Sequence, residues 1–286
     1  MRLLLNGVRA LEKVLKIGFI DFANCLPVLL PITTGRVSLI SDAEIVLGNP
    51  QQLNKLMASD ELDVASVSLF YYLQQKERLE LFKTVSISSF SPVGSVELYS
   101  KIPLAELGGK TIQVPKSSAT SINMMRVLLL EEYGVKPNLI ECDEPDCFDI
   151  NTDAALVIGD RALLIEDDWA LKRPIKMDLA SWWFNLTKLP AVFGVWVYKK
   201  TLAQTNSSDI ANLGRIFDRA KELGLGDLMP EVLGEATLRF GGKLDEARLL
   251  RYYKQELNFD FQTSHLDAIG HYSQLCSKYE LLPAGN

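Results

Sequence analysis

Asn24 is the side chain whose position in the sequence most directly suggests contact with a ligand. Residues 14–20 form an apolar run that predicts a buried strand, and ligands of open α/β sheets bind just past the carboxyl ends of strands. The amide of Asn24 can donate and accept hydrogen bonds without changing its charge. Asparagine is also a favoured helix cap, so the alternative is that Asn24 caps a helix beginning near Leu26.

A cluster of hydroxyl side chains occupies residues 117–121, between a predicted strand at 111–114 and a predicted long helix at 122–132. Backbone amides at a helix start have no partner within the helix. With hydroxyl groups beside them, they form an anion site without a fixed positive charge. A carboxylate is a natural guest at such a site. The alternative is that a single hydroxyl group caps the helix.

Three other small residues lie at the ends of predicted strands. Ser68 follows a strand at 63–67, Ser95 begins a strand at 95–99, and Gly159 follows a strand at 154–158. Gly159 would offer its amide to a ligand. Ser68 could instead cap the helix that follows it, and Ser95 could be an ordinary strand serine. We expect Asp160 to cap the next helix through its carboxylate.

The histidines and cysteines do not form a recognisable reactive site. His265 and His271 are six residues apart in a predicted helix, so they point to different faces, and a structural role is expected for both. Cys142 and Cys147 lack the spacing of a redox pair or a zinc knuckle. The sequence therefore predicts neither a metal nor a cofactor.

The composition is that of an ordinary globular protein with an acidic balance. The 286 residues are 48% hydrophobic and 23% charged, with a formal net charge of -6. This charge argues against a nucleic-acid partner, because such proteins normally carry a basic excess. No secretory signal and no membrane-spanning run is predicted, so we expect a cytoplasmic protein without a membrane partner. The oligomeric state is left open.

Strand-like and helix-like segments alternate along the chain, which indicates an α/β fold. From about residue 207 the pattern becomes helical, with amphipathic stretches near 208–223, 243–256 and 264–280. These helices are expected to close the first part of the fold.

Several of these segments carry a family resemblance. The run Phe22-Ala23-Asn24-Cys25-Leu26-Pro27 resembles the opening motif of the chorismate dehydratases of the futalosine route to menaquinone. That family usually has Tyr, Leu and Thr where this chain has Phe22, Ala23 and Cys25. The changes leave the asparagine and the Leu-Pro pair intact.

Five later segments match the same family in the same order. Ser68 and Ser95 fall at positions where the family has serines near its substrate. Ser118-Ala119-Thr120-Ser121 matches the family's Ser-x-Thr-Ser pattern, and Ile158-Gly159-Asp160-Arg161-Ala162 matches Ile-Gly-Asp-x-Ala. Residues 189–196 resemble Leu-Pro-Phe-Val-Phe-Ala-x-Trp, with Ala191 and Gly194 smaller than the usual residues.

The resemblance implies an α/β, two-lobed fold like that of type II periplasmic binding proteins, with the ligand cleft between the lobes. Residues 1–98 and 197–286 would form the first lobe and residues 99–196 the second, with crossings near 95–100 and 195–199. The implied reaction converts chorismate, a small anionic substrate, to 3-[(1-carboxyvinyl)oxy]benzoate and water. Asn24 and Ser95 would be catalytic. The implied substrate-binding residues are Ser68, Ser118, Ala119, Thr120, Ser121 and Gly159.

Two other functions share this fold. One is a solute-binding protein for a small carboxylate, against which the absence of a predicted signal sequence counts. The other is the sister enzyme that makes 1,4-dihydroxy-6-naphthoate and relies on a histidine in the second lobe. The chain has no histidine before His265, so the dehydratase is the preferred prediction.

Overall fold

The structure is a computed structural model, and it describes residues 14–40, 43–146, 149, 151–165, 171–205 and 207–282. The described strands form two separate sheets. They are β1 (Leu15–Ile20), β2 (Ala43–Gly48), β3 (Val64–Ser68), β4 (Leu79–Ser89), β5 (Val96–Ser100), β6 (Thr111–Pro115), β7 (Asn138–Cys142), β8 (Ala154–Ile158), β9 (Ile175–Asp178), β10 (Ala191–Lys199) and β11 (Asn258–Asp260).

The first sheet has six strands in the order β11-β4-β10-β3-β1-β2, and the second has five in the order β7-β6-β8-β5-β9. In the first sheet β1 runs parallel to β2 and β3, while β10 runs antiparallel to β3 and β4. In the second, β6 is parallel to β7 and β8, while β5 is antiparallel to β8 and β9. The predicted α/β class is confirmed.

Helices connect and cover the strands. They are α1 (Leu26–Thr33), α2 (Pro50–Ala58), α3 (Leu69–Gln74), α4 (Ala119–Tyr133), α5 (Gly159–Leu163), α6 (Leu179–Thr187), α7 (Lys200–Thr205), α8 (Ser207–Leu225), α9 (Met229–Arg239), α10 (Glu246–Arg251) and α11 (Thr263–Lys278), with a π-helical turn at Tyr252–Glu256. In the described ranges, no helix has both the length and the apolar character needed to cross a membrane.

The chain changes sheet twice, and both changes come earlier than the sequence predicted. All of β10 belongs to the first sheet, because Gly194 pairs with Ser68 and Tyr198 pairs with Val64. The strand β5 pairs with β8 and β9 along its whole length, so it belongs to the second sheet. The changes therefore lie within residues 90–95 and 188–190. The predicted crossings at 95–100 and 195–199 fall inside strands that are already paired.

The carboxyl-terminal helices complete the first lobe, which we define as the first sheet with the helices packed on it. Phe217 of α8 packs edge-on against Phe19 of β1 at 5.9 Å and against Phe82 of β4 at 5.2 Å between ring centroids. Edge-to-face packing of this kind stabilises a core beyond simple burial of area. The carboxyl-terminal helices thus contribute to the core that supports the strands leading to Asn24 and Ser68.

Candidate functional site

A pocket lies where the ends of both sheets meet. Its volume is about 590 Å³ with the solvent at its mouth included. Strands of the first sheet reach it with Ile20, Ile87 and Phe193, and strands of the second reach it with Val96 and Ile158. The predicted site residues that line it are Asn24, Ser68, Ser95, Ser118, Thr120, Ser121 and Gly159.

Asn24 lies in a short 3-10 turn at Ala23–Cys25, directly after β1. Its amide oxygen Oδ1 is buried and has no hydrogen-bond partner among the described residues. The cap of α1 is Cys25, and no side-chain capping bond forms there, so the alternative that Asn24 caps this helix is wrong. A buried oxygen without a partner in a pocket wall is suited to accept a hydrogen bond from a ligand.

The backbone beside Asn24 is held from two directions. The amide of Ala23 donates to Asp160 Oδ1 at 2.9 Å, and the carbonyl oxygen of Ala23 accepts from the hydroxyl of Tyr253 at 2.9 Å. Tyr253 is itself buried. These bonds fix the turn, so the Asn24 side chain enters the pocket from a rigid support.

The start of α4 opens on the pocket, as the hydroxyl cluster predicted. Ser118 is the residue that precedes the helix, and its side chain makes no capping bond. The amides of the first turn of a helix have no acceptor within that helix. Ser118 and Ser121 line the pocket beside them, whereas the side chain of Ala119 does not. Any contact from Ala119 would have to come from its backbone.

Thr120 and Ser68 have structural bonds in addition to their places in the pocket wall. Thr120 Oγ1 accepts from the amide of Phe70 at 2.9 Å, which joins α4 to α3. Ser68 Oγ caps α3 by accepting from the amide of Tyr71 at 3.3 Å. The capping alternative for Ser68 is therefore confirmed. Its hydroxyl proton is still available to a ligand, because a hydroxyl group can accept and donate at the same time.

Ser95 lies at the end of the first crossing and is buried. Its side-chain oxygen accepts from the hydroxyl of Tyr252 at 3.0 Å. The amides just before it, those of Val93 and Gly94, both donate to Asp178 Oδ2 at 2.9 and 2.8 Å. The crossing segment is thereby fixed to the second sheet immediately before it delivers Ser95 to the pocket.

The expected role of the Gly159 amide is wrong. That amide donates to the carbonyl oxygen of Ser95 at 2.7 Å, so it is occupied within the protein. Gly159 has φ +59, and a Cβ built there would lie 3.4 Å from the ring of Phe22. Glycine is required because this backbone conformation disfavours side chains. Gly159 thus shapes the wall opposite Phe22 instead of donating to a ligand.

Asp160 does not cap α5, contrary to expectation. The residue before this helix is Ile158, and no side-chain capping bond is present. The carboxylate of Asp160 instead accepts from the Ala23 amide and from Arg239 of α9. Arg239 also donates to Asp21 Oδ1 at 2.8 Å. We call Asp21, Asp160 and Arg239 the clasp, because these residues join the first lobe to the second, next to the pocket residues Phe22 and Gly159.

The pocket wall is uncharged, with a group of hydroxyl and amide side chains set among mostly apolar residues. Among the described residues that line it, none has an ionisable side chain. Cys25 lies just behind the wall and is fully buried, and burial raises the pKa of its thiol far above the usual range. This thiol is therefore protonated and unsuited to attack a substrate. In the described part of the chain, no three His, Cys, Asp or Glu side chains are placed to hold a metal ion.

The histidines have structural roles, as predicted. His265 is fully buried, its Nδ1 accepts from the amide of Gln262 at 3.0 Å, and its Nε2 lies 3.0 Å from Ser88 Oγ. Because Nδ1 accepts a hydrogen bond, Nε2 of the neutral ring carries the proton and cannot act as a base toward Ser88. His271 packs against Trp183 at 5.8 Å. Cys147 lies outside the described residues.

Sequence reasoning missed the groups that support the site from the carboxyl-terminal helices. Tyr252 bonds to Ser95, Tyr253 to Ala23, and the hydroxyl of Tyr272 donates to the carbonyl oxygen of Thr120 at 3.1 Å. Arg239 completes the clasp. The tyrosines lie in amphipathic stretches, where an aromatic residue normally belongs to the core. The signal that could have identified the tyrosines is chemical: a tyrosine in the core still needs a hydrogen-bond partner for its hydroxyl group.

Comparison of the sequence with known proteins gives two concordant matches. Residues 15–278 match the family described as menaquinone biosynthesis. A chorismate dehydratase of Thermus thermophilus is 30% identical over 236 residues, which cover 77% of this chain and 81% of that relative.

Solved structures share the fold at lower identity. Protein AF1704 from Archaeoglobus fulgidus superimposes with a TM-score of 0.72 at 18% identity, covering 93% of this chain and 98% of that one. The periplasmic aliphatic sulphonate binding protein SsuA from Escherichia coli gives a TM-score of 0.62 at 15% identity over 94% of each chain. The predicted periplasmic-binding-protein-like fold is confirmed. From the sequence matches, the chain belongs to the menaquinone biosynthesis family.

Proposed function

We propose that this chain is a chorismate dehydratase of the futalosine route that works in the cytoplasm without a cofactor. It would convert chorismate to 3-[(1-carboxyvinyl)oxy]benzoate and water. The observation that carries the proposal is the Oδ1 atom of Asn24, which is buried in the wall of an uncharged pocket and has no hydrogen-bond partner among the described residues. The similarity to a chorismate dehydratase supports the same assignment.

The reaction itself needs little from ionisable side chains. The ring proton beside the enolpyruvyl ether is acidic because its carbon is conjugated through the ring double bond to the ring carboxylate. When this C–H bond breaks, the electrons form a new ring double bond, the neighbouring C–O bond breaks, and the ring becomes aromatic. The proton and the hydroxyl group leave together as water. The protein must orient two carboxylates, stabilise developing charge and exclude water.

The pocket residues are suited to these tasks. Asn24 Oδ1 can accept from the hydroxyl group of the bound substrate and so orient it, while its amide nitrogen can donate to a substrate carboxylate. The first amides of α4, with the hydroxyl groups of Ser118 and Ser121, would hold a carboxylate at the helix start. Ser95 would donate to the substrate from the opposite side. All of these groups are neutral, so they can stabilise charge without first losing a proton.

The proton acceptor in this proposal belongs to the substrate. No ionisable side chain lines the pocket among the described residues. The carboxylate of the enolpyruvyl side chain can fold back toward the ring and take the proton, and the resulting carboxylic acid then passes it to the departing hydroxyl group, which leaves as water. Holding that carboxylate close replaces an encounter between two molecules with a step within one molecule, which accelerates proton transfer.

The test is to incubate the purified protein with chorismate, without added metal or nucleotide, and to follow the aromatic product by chromatography. Chorismate alone and the Asn24→Ala variant serve as controls for spontaneous breakdown. We expect stoichiometric conversion by the wild-type protein above both controls. Tight binding of chorismate without turnover would contradict the proposal and would favour a solute-binding protein.

A further inference from the structure

Tyr252 is a buried tyrosine at the start of the π-helical turn, and it touches one predicted catalytic side chain. The residue is 1% exposed, and its hydroxyl donates to Ser95 Oγ at 3.0 Å. The two residues are far apart in the sequence and belong to different elements. Short π-helical segments are common at functional sites, where they displace a side chain from its normal helical position.

The direction of this hydrogen bond follows from the surroundings of the phenol. Burial raises the pKa of Tyr252 far above its ordinary value, so the phenol keeps its proton. Were Ser95 the donor, the buried phenolic proton would need a second acceptor, and the described residues place none at this hydroxyl besides Ser95. Leaving such a proton unpaired costs about 1–3 kcal/mol. Tyr252 therefore donates, and Ser95 accepts.

We propose that Tyr252 is a positioning residue that turns the Ser95 hydroxyl into a hydrogen-bond donor aimed at the substrate. The inference rests on the proposed function. With its oxygen accepting from Tyr252, Ser95 has its own proton left for the pocket that it lines. The Ser95 carbonyl oxygen is already held by the amide of Gly159. The Ser95 hydroxyl group can then still rotate about its Cβ–Oγ bond, and the hydrogen bond from Tyr252 restricts this rotation.

The support around Tyr252 is rigid. Arg248 lies over its ring, 5.9 Å from the centroid, and donates to Glu256 Oε2 at 2.9 Å. Glu256 borders the crossing segment so closely that a Cβ at Gly94 would lie 2.8 Å from its carboxylate oxygen. The π-helical turn and the segment that carries Ser95 are therefore packed as one unit. This fixes the distance between the two hydroxyl groups.

A double-mutant cycle tests the proposal through kcat and KM on chorismate. Four proteins are compared: wild type, Tyr252→Phe, Ser95→Ala and the double variant. Tyr252→Phe should lower kcat about tenfold with little change in KM, the scale of one lost oriented hydrogen bond. In the Ser95→Ala background the same change should alter kcat less than about twofold, because the hydroxyl group that Tyr252 orients is absent.

The control is Tyr279→Phe, which removes a phenol that donates to Glu131 at 2.6 Å outside the pocket and should leave kcat unchanged. Thermal melting of each variant shows that it folds. Independent, multiplicative losses from Tyr252→Phe and Ser95→Ala would overturn the proposal. The four proteins are also titrated with 3-[(1-carboxyvinyl)oxy]benzoate by calorimetry. If wild type binds this molecule but does not turn over chorismate, the proposed function fails. The role of Tyr252 is then decided by the four binding affinities: a loss from Tyr252→Phe that disappears in the Ser95→Ala background supports it, and equal losses in both backgrounds overturn it.

Discussion

Asn24 combines features that are rarely found together in a residue with a purely structural role. Its side-chain oxygen is buried without a partner in the described part of the chain, although such an atom normally costs about 1–3 kcal/mol of stability. Meanwhile the backbone next to it is fixed by Asp160 and Tyr253. Stability would favour an apolar side chain at this position. A ligand that donates to the oxygen accounts for the asparagine.

The Asn24→Ala variant should separate activity from stability. We expect kcat to fall by about two to three orders of magnitude, the scale for removal of one preorganised polar group. The free energy of unfolding should change by less than about 1 kcal/mol, because no hydrogen bond of Oδ1 within the protein is lost. Steady-state kinetics and chemical denaturation measure the two quantities.

The matched control for Asn24 is Asn138→Ala. Asn138 is exposed, and its side chain donates to the carbonyl oxygen of Gly109 at 2.8 Å. Its loss should leave kcat unchanged. Full activity in Asn24→Ala with a markedly lower melting temperature would show that Asn24 has a structural role.

Glu97 of β5 should make stability depend on pH. Burial, with a smaller contribution from Asp178, raises the pKa of Glu97 from 4.5 to about 7, although Lys176 lies 3.2 Å away. Between pH 4.5 and about 7, the folded protein therefore retains a proton on Glu97 that the unfolded chain has released. The associated stability is fully present below pH 4.5 and is lost as the pH rises through about 7. It amounts to about 3 kcal/mol at most.

The Glu97→Gln variant should flatten this pH dependence. A glutamine retains the shape of the protonated acid and cannot ionise, so the variant should lose less stability between pH 5 and 8 than wild type. Urea denaturation at several pH values measures the difference, with the exposed Glu106→Gln as the control. Parallel curves for wild type and Glu97→Gln would show that Glu97 does not titrate in this range.

At the scale of elements, the start of α4 is the part of the site that should bind a carboxylate. Ser118→Ala removes a hydroxyl group that makes no capping bond, so stability should hardly change. We expect KM for chorismate to rise up to about tenfold, with kcat less affected, because this group would hold ground and transition states alike. The remaining amides should keep part of the affinity.

Thr120→Val is the informative comparison for Ser118→Ala. It would leave the Phe70 amide without the acceptor that lies 2.9 Å away, so it should cost about 1–3 kcal/mol of stability. Kinetics and thermal melting on both variants distinguish binding from support. An unchanged KM in Ser118→Ala would remove this hydroxyl group from the site.

The elements that the sequence predicted are those whose pattern is local. The strands β1, β6 and β8 and the helix α4 all follow from apolar runs in the sequence. The strands β7 and β9 were missed because β7 is mostly exposed at a sheet edge and β9 has only four residues. The sequence of β7 does not alternate between apolar and polar residues, and the alternation of β9 extends over only four residues.

The site residues were likewise predictable only where they are marked by a local sequence pattern. Residues that follow strands could be identified because strand ends in these folds converge on one place. Tyr252 and Arg239 could not, since each acts on a residue far away in the sequence, Ser95 and Asp160 respectively. The Gly159 amide was assigned to a ligand because the pairing of Ser95 with β8 is invisible without the sheet register.

At the scale of the whole molecule, we propose that the two lobes open and close around the pocket, hinged at residues 90–95 and 188–190. The clasp would hold the closed form, because Arg239 and Asp21 belong to the first lobe and Asp160 to the second. Arg239→Gln should raise KM about three- to tenfold, as expected for a partly buried, charge-assisted contact. In the same variant, amide hydrogen exchange should become faster than in wild type both at residues 20–24 and at residues 158–160.

Arg219→Gln provides the control for the clasp. Arg219 pairs with Glu222 within α8, and both side chains are largely exposed, so the variant should behave as wild type. Solution scattering with and without product would report the change in dimensions on closure. Faster exchange confined to one lobe in Arg239→Gln would contradict a clasp between lobes.

The uncharged pocket has a consequence for how a substrate arrives. The chain carries a formal net charge of -6, and no lining side chain in the described structure offsets it. A doubly negative molecule is therefore repelled at long range and held only by dipoles after entry. Added salt screens the repulsion beyond about 8 Å at physiological ionic strength and leaves the short contacts in place. Association should accelerate as ionic strength rises, the reverse of the behaviour of a site that draws anions in with lysine and arginine.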